Sequence, residues 1–284
     1  MTTHRFALLT LAFAFGPLFS QGGTTPKLPD QPTSPPEEKK TELRDLNPDR
    51  PSLTDNPDTI DAGHFQLEMD FANLGWRHQD NTTVRAWNFA PFVLRYGVTD
   101  KIEFQAGYGS FVFTEVRDHD TRVRTTSHGW GDLLLRSKYN FIGNGNGPVS
   151  FGVIGSVKIP TATHGQGNGA VEGGISFPFF ADLGGGWNIS ATAQANTVRG
   201  DMGSYHFNWL GGIGLGRDIT KKVAVYAEYI YSSTEGIGGS GFGTVDAGIT
   251  WTLTKNLQVD CGCNFGLTPA ADRFHPFVGM SIRF

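Results

Sequence analysis

The chain has little cysteine, no cationic excess and no apolar run long enough to cross a bilayer as a helix. Cys261 and Cys263 are the only two cysteines in 284 residues, too few for a disulfide framework or a structural zinc site. At spacing i, i+2 on a strand their side chains run parallel, and a bond between them would need distortion. They read as small apolar residues on one face. With 23 Lys and Arg against 27 Asp and Glu there is no basic stripe, so nucleic acid is not expected as a partner. The slightly negative mean hydropathy excludes a helical membrane bundle but not a barrel, in which only every second residue need face lipid. No Cys/His group has metal spacing. The glycine-rich pieces 143–147, 165–169 and 236–243 lack the strand-to-helix context and Lys-Ser/Thr of a phosphate loop. No metal and no cofactor are expected.

What the chain does have is glycine, 38 residues, and 12% aromatics. Both suit many turns and interfacial aromatic girdles. The closing segment FHPFVGMSIRF shows the pattern that matters most. Phe274, Pro276, Val278, Met280, Ile282 and Phe284 share one parity; His275, Gly279, Ser281 and Arg283 share the other with Phe277. A strand sends successive side chains to opposite faces, so this segment has one apolar and one mostly polar face. Its terminal aromatic resembles the C-terminal strand that outer-membrane barrels present to their insertion machinery, and Phe284 is the candidate insertion signal.

The same alternation recurs from His64 onward. Phe65, Leu67, Met69 and Phe71 oppose Gln66, Glu68 and Asp70. Further strands are expected over 84–96, 102–109, 129–141, 149–159, 172–182, 187–198, 206–217, 222–232, 242–253 and 257–267. With the terminal strand the count is about twelve. Loops after even strands are short, as at 97–101 and 218–222; loops after odd strands are longer, as at 74–83, 117–128 and 161–171. Short turns on one side and long loops on the other suit a transmembrane antiparallel up-and-down β-barrel. A soluble sandwich has the same period, but twelve such strands supply more apolar side chains than one core of this size needs.

Three regions follow. Residues 1–22 have the basic start, apolar stretch and small-residue site of a signal peptide. Residues 23–55 are proline-rich and then charged, and read as a disordered periplasmic leader. Residues 56–284 form the barrel.

At 48–68 the sequence reads PDRPSLTDNPDTIDAGHFQLE. This resembles the opening motif of an outer-membrane transporter family catalogued under a MetA-pathway of phenol degradation. Its matching residues are Arg50, Pro51, Thr54, Pro57, Thr59, Gly63, Gln66, Leu67 and Glu68. Leu94 to Asp100, Gly129-Trp130-Gly131-Asp132, Val157 to Thr161 and Asn264 to Leu267 also fit, in the same order along the chain. The resemblance covers roughly 48–284. It implies a bacterial outer-membrane barrel that takes up aromatic or other apolar compounds, with outer-membrane lipid, the insertion machinery and a small solute as partners.

The inward parity is charged. Glu68, Asp70, Arg95, Glu103, Asp132, Arg136, Lys138, Lys158, Glu228, Asp246, Asp260 and Arg283 are the candidate lumen-lining, selectivity-setting residues. Facing charges can pair across a lumen or line an aqueous path. The alternative is a closed structural or interaction barrel with ligand-binding outer loops. A third reading, an enzyme at the rim, needs a His–Ser–acid set. His119, His128, His164 and His206, with Ser127 and Ser204, are available, but no spacing identifies a nucleophile, and catalysis is not expected.

Overall fold

Strict alternation satisfies both faces of a strand only if each face meets its own medium, and pairing every edge then closes the sheet. The computed structural model describes residues 43–200, 203–233 and 241–284. Fifteen strands form one antiparallel sheet: β1 (Phe65–Gln79), β2 (Thr82–Phe89), β3 (Phe92–Thr99), β4 (Ile102–Tyr108), β5 (Phe111–Asp118), β6 (Arg124–Trp130), β7 (Leu133–Ile142), β8 (Val149–Ile159), β9 (Glu172–Gly184), β10 (Trp187–Arg199), β11 (Tyr205–Asp218), β12 (Val223–Ser232), β13 (Phe242–Thr254), β14 (Leu257–Gly266) and β15 (His275–Arg283). β15 pairs with β1, which closes the barrel. Three staves are each split in two: β2 with β3, β4 with β5, and β6 with β7. Counting each split stave once gives twelve staves, as the alternation predicted. Among the described residues there is no helix.

The three splits lie side by side. Ala90 takes a positive φ of 52° before Pro91, where no strand can continue regularly. The Ser110 hydroxyl donates to the Ala90 carbonyl. Gly109 N donates to the Asp132 carbonyl at 3.3 Å. A Cβ on Gly131 would fall 2.3 Å from the Gly109 carbonyl oxygen, so this close crossing requires glycine. Beyond the split, β6 has no strand on its second side. Thr163 of the 160–171 connection takes that place: its N donates to the Trp130 carbonyl at 2.9 Å, and its hydroxyl accepts from Trp130 N at 3.0 Å.

Two expected outer loops are shorter than the sequence suggested. β1 runs on to Gln79 and turns at Asp80–Asn81, both with positive φ, in place of a loop over 74–83. Such a two-residue turn matches strand twist. β5 and β6 likewise extend into 117–128. In β1 a register shift between Asp70 and Ala72 moves the apolar parity from Phe65–Phe71 to Ala72, Leu74 and Trp76, and the ends of β5 and β6 over 117–128 are mostly polar on both faces, so no continuous alternation marks them as strand.

The burial pattern is inverted relative to a soluble protein. Among the described residues the buried apolar side chains are few, Ile60, Ile154, Ile230, Pro57, Pro178 and three alanines, whereas Arg95, Glu103, Lys138 and Asp246 are wholly buried. The large apolar residues are outside: Phe104 is 54% exposed, Ile213 53% and Trp251 54%. In water an apolar surface of that extent would drive association. Around a barrel it is the face that meets lipid. Cys261 and Cys263 are free, with Cys261 exposed on that outer face.

Candidate lumenal gate

The interior is occupied by the chain's own N-terminal segment. Residues 43–64 were expected to be disordered as far as 55; from Leu43 they instead form an ordered loop inside the barrel. Residues 1–42, the expected signal and the first part of the leader, lie outside the described residues. The segment enters at the short-turn rim, reverses around Leu53–Asp55 and returns to β1. Its two arms are tied by Arg44 Nε to Asp61 at 2.8 Å and by Asn47 Nδ2 to Asp58 at 2.9 Å. A proline-rich, charged segment cannot fold alone, but here every arm finds partners on the wall.

Those partners are the lumen charges. Lys138 Nζ binds Asp49 at 2.7 Å, and Arg95 Nη1 lies 3.4 Å from the same carboxylate. Arg95 also binds Glu68 at 2.5 Å and Glu103 at 2.6 Å. Glu68 in turn accepts from Asp49 N at 3.2 Å and Arg50 N at 2.9 Å. Arg50 binds Asp260 at 2.6 Å and also Asp70. Arg136 binds Asp55. Glu103 accepts from Ile60 N at 2.9 Å, and Arg283 binds Asp61 at 2.9 Å. Burial raises the Asp49 carboxyl pKa, but the charges of Arg95, Lys138 and Arg136 outweigh it and hold it below the usual carboxylate range.

The apex is held differently. Glu228 accepts from Ser52 Oγ at 2.6 Å, Thr54 Oγ1 at 2.9 Å, Thr54 N at 3.1 Å and Leu53 N. All four donors are neutral. Asp246, the cross-strand neighbour of Glu228, accepts from the Tyr226 hydroxyl at 2.8 Å. Above the apex, Lys158 lies 2.8 Å from Glu172 and 3.5 Å from Asp132.

The twelve lumen candidates therefore lie on the inner wall, where most of them bind the hairpin rather than one another across an open space. Asp132, Lys158 and Asp246 are the exceptions. Sequence reasoning missed the hairpin's own Asp49, Asp55, Asp58 and Asp61. The signal that could have found them is the motif itself, since Arg50, Thr54, Pro57 and Thr59 are hairpin residues whose atoms meet the wall.

Four cavities flank the hairpin. One of about 500 Å³ opens at the turn rim, and one of about 150 Å³ lies deeper between the hairpin and β10–β12. Two of about 440 and 270 Å³ lie above the apex, with Leu53 lining both.

Of the rim candidates, Ser204 and His206 meet at 3.1 Å, whereas Ser127 binds Gln166 and His119 binds Thr83. Among the described residues no carboxylate is hydrogen-bonded to His206, and no group of three His, Cys, Asp or Glu is placed to hold a metal.

Residues 48–284 match the model of the family described as "Putative MetA-pathway of phenol degradation". The chain belongs to this family. No curated protein matches the sequence. Among solved structures, an outer membrane channel from Pseudomonas putida F1 is similar at a TM-score of 0.57 and 11% identity, covering 81% of this chain and 98% of that one. The porin NanC aligns at a TM-score of 0.47 and 8% identity, over 76% and 98% of the two chains. CymD, a monoaromatic hydrocarbon channel, aligns at 0.43 and 10%, over 79% and 88%. At these identities the likeness concerns the fold: this family member has the barrel architecture of the first of these channels.

Proposed function

We propose that this chain is an outer-membrane channel for passive passage of small solutes of low polarity, gated by its N-terminal hairpin. The observation that carries the reading is the hairpin with cavities on both sides. A structural barrel needs only a filled lumen. Here about 440 Å³ above the apex and 500 Å³ at the turn rim are kept open, with the cavity of about 150 Å³ between them. Cavities of this size hold a single-ring molecule with room to turn. The family description, which names phenol degradation, supports an aromatic solute. Nothing in the geometry asks for a catalyst: the lumen carboxylates are engaged in ion pairs or, at Glu228 and Asp246, in hydrogen bonds from neutral donors, and Ser204 with His206 is a two-residue contact at the start of β11.

The test is current through the chain, without its expected signal segment, refolded into a planar bilayer. Discrete steps, together with phenol entry into proteoliposomes, support the channel. A protein that inserts, stays silent and admits no phenol is a closed interaction barrel, and the proposal fails.

A further inference from the structure

The two sides of the hairpin are not alike. Toward β3, β4 and β7 it is braced by buried charge, and Arg95, Glu103 and Lys138 have no exposure at all. Toward β10 and β11 the wall at the same depth is Asn188, Ser190, Thr192, Gly212, Gly214 and Gly216, with no charge among them. The deeper cavity lies on this second side, and it meets the rim cavity, which spans the mouth from Gln66 and Arg283 to Asn188, at Asn47, Phe180 and Asn188, which line both. One layer of hydroxyls separates the deeper cavity from the space above the apex. Thr54 Oγ1 meets Ser190 Oγ at 2.9 Å, Ser176 Oγ meets Thr192 Oγ1 at 3.0 Å, and Ser176 also donates to Asp55 at 3.0 Å.

We infer that solutes pass the hairpin on this side only, along β10 and β11, through a constriction formed by Thr54 and Ser190. The inference rests on the channel reading above. Bonds between neutral hydroxyls are weaker than the charge-assisted bonds on the opposite side. An entering hydroxyl can take the place of Ser190 on Thr54 while Thr54 Oγ1 keeps its bond to Glu228, so no charge is stranded, whereas parting Asp49 from Lys138 would strand two. The path therefore favours small uncharged solutes that carry a hydroxyl on an apolar body; Phe180 and Tyr226 line its apolar part. Gly214 and Gly216 set its width. A Cβ on Gly214 would lie 2.5 Å from Ser190 Oγ, and one on Gly216 would lie 2.4 Å from Asn188 Oδ1. Any larger residue pushes those side chains into the path.

The experiment places single cysteines in a chain carrying Cys261→Ala and Cys263→Ala, recorded in a planar bilayer. A cationic methanethiosulfonate reagent is added on the turn side. Ser190→Cys and Asn188→Cys should show irreversible loss of unitary current, while Gln105→Cys, on the braced wall, should not. Gly216→Leu should lower unitary conductance with heat-modifiable migration, the mark of a folded barrel, unchanged. Loss at Gln105→Cys with Ser190→Cys insensitive moves the path to the other wall and overturns this inference alone. Equal loss at all positions overturns it too, since it means the hairpin leaves the lumen altogether. Absence of any current before reagent overturns the channel reading and this one with it.

Discussion

Asp49 and Lys138 are 89 residues apart in the chain and 2.7 Å apart in the lumen. The pair is buried on the Lys138 side, and Arg95 is the next cation. Removing one member of a buried pair leaves an uncompensated charge, at a cost of about 3–5 kcal/mol. Asp49→Ala should therefore release the hairpin from the charged wall while the barrel, paired stave to stave, stays closed. Trypsin cleavage after Arg44 in the refolded protein reports this, since the Arg50–Pro51 bond is not a trypsin site. Wild type should resist, and the variant should be cut within the lumenal segment with its barrel migration kept. Equal resistance would mean that the ion pair does not hold the segment.

The pH dependence follows from the same carboxylate. Its pKa is depressed in the folded state, so its contribution is fully present above the unfolded value near 3.9. That contribution is lost only as pH falls from there toward the depressed value. Between pH 7 and 5 the hairpin should stay docked, and single-channel open time should not change through this group. Opening that titrates between pH 7 and 5 would point to a different ionisable group as the trigger.

Glu228 is the second attachment, and it acts alone against four neutral donors. Glu228→Gln keeps the shape and one acceptor but removes the charge and offers donors to donors. A hydrogen bond to a charged group contributes about 1.5–3 kcal/mol, so the apex should loosen by roughly that much. The expected readout is longer open events in bilayer recordings with unchanged thermal stability of the barrel. A fall in melting temperature without a change in gating would assign Glu228 to the wall instead of the gate.

How much of this was legible beforehand depends on whether a residue's partners obey a local period. The outward series Leu94, Tyr96 and the inward Arg95 were readable because β3 alternates and both faces have a uniform medium. The split at Gly131 was not readable as a break, because its cause is a carbonyl on Gly109, on the neighbouring stave. The hairpin was hardest. Pro48, Asp49, Arg50 and Pro51 look like a solvated leader, since nothing nearby in sequence answers their charges. Arg50 is answered by Asp260, 210 residues on. The function of the charges on the wall could not be read from them, because the counter-charges come from the segment assigned to disorder.

Phe284 joins the first feature of the sequence to the closure of the fold. Its N donates to the Phe65 carbonyl at 2.9 Å and its carbonyl accepts from Phe65 N at 2.9 Å, sealing the β15–β1 seam, while its ring is 60% exposed and stacks on Phe65 at 6.4 Å. The backbone therefore serves closure, and the ring is free to serve recognition before closure. Phe284→Ala keeps both backbone bonds and removes a ring contact worth about 0.5–1.5 kcal/mol. Refolded in detergent, the variant should melt close to wild type. Expressed in cells, it should assemble far less well, with unassembled chain accumulating. Equal losses in detergent and in cells would make the ring part of the seam and remove Phe284 as a candidate insertion signal.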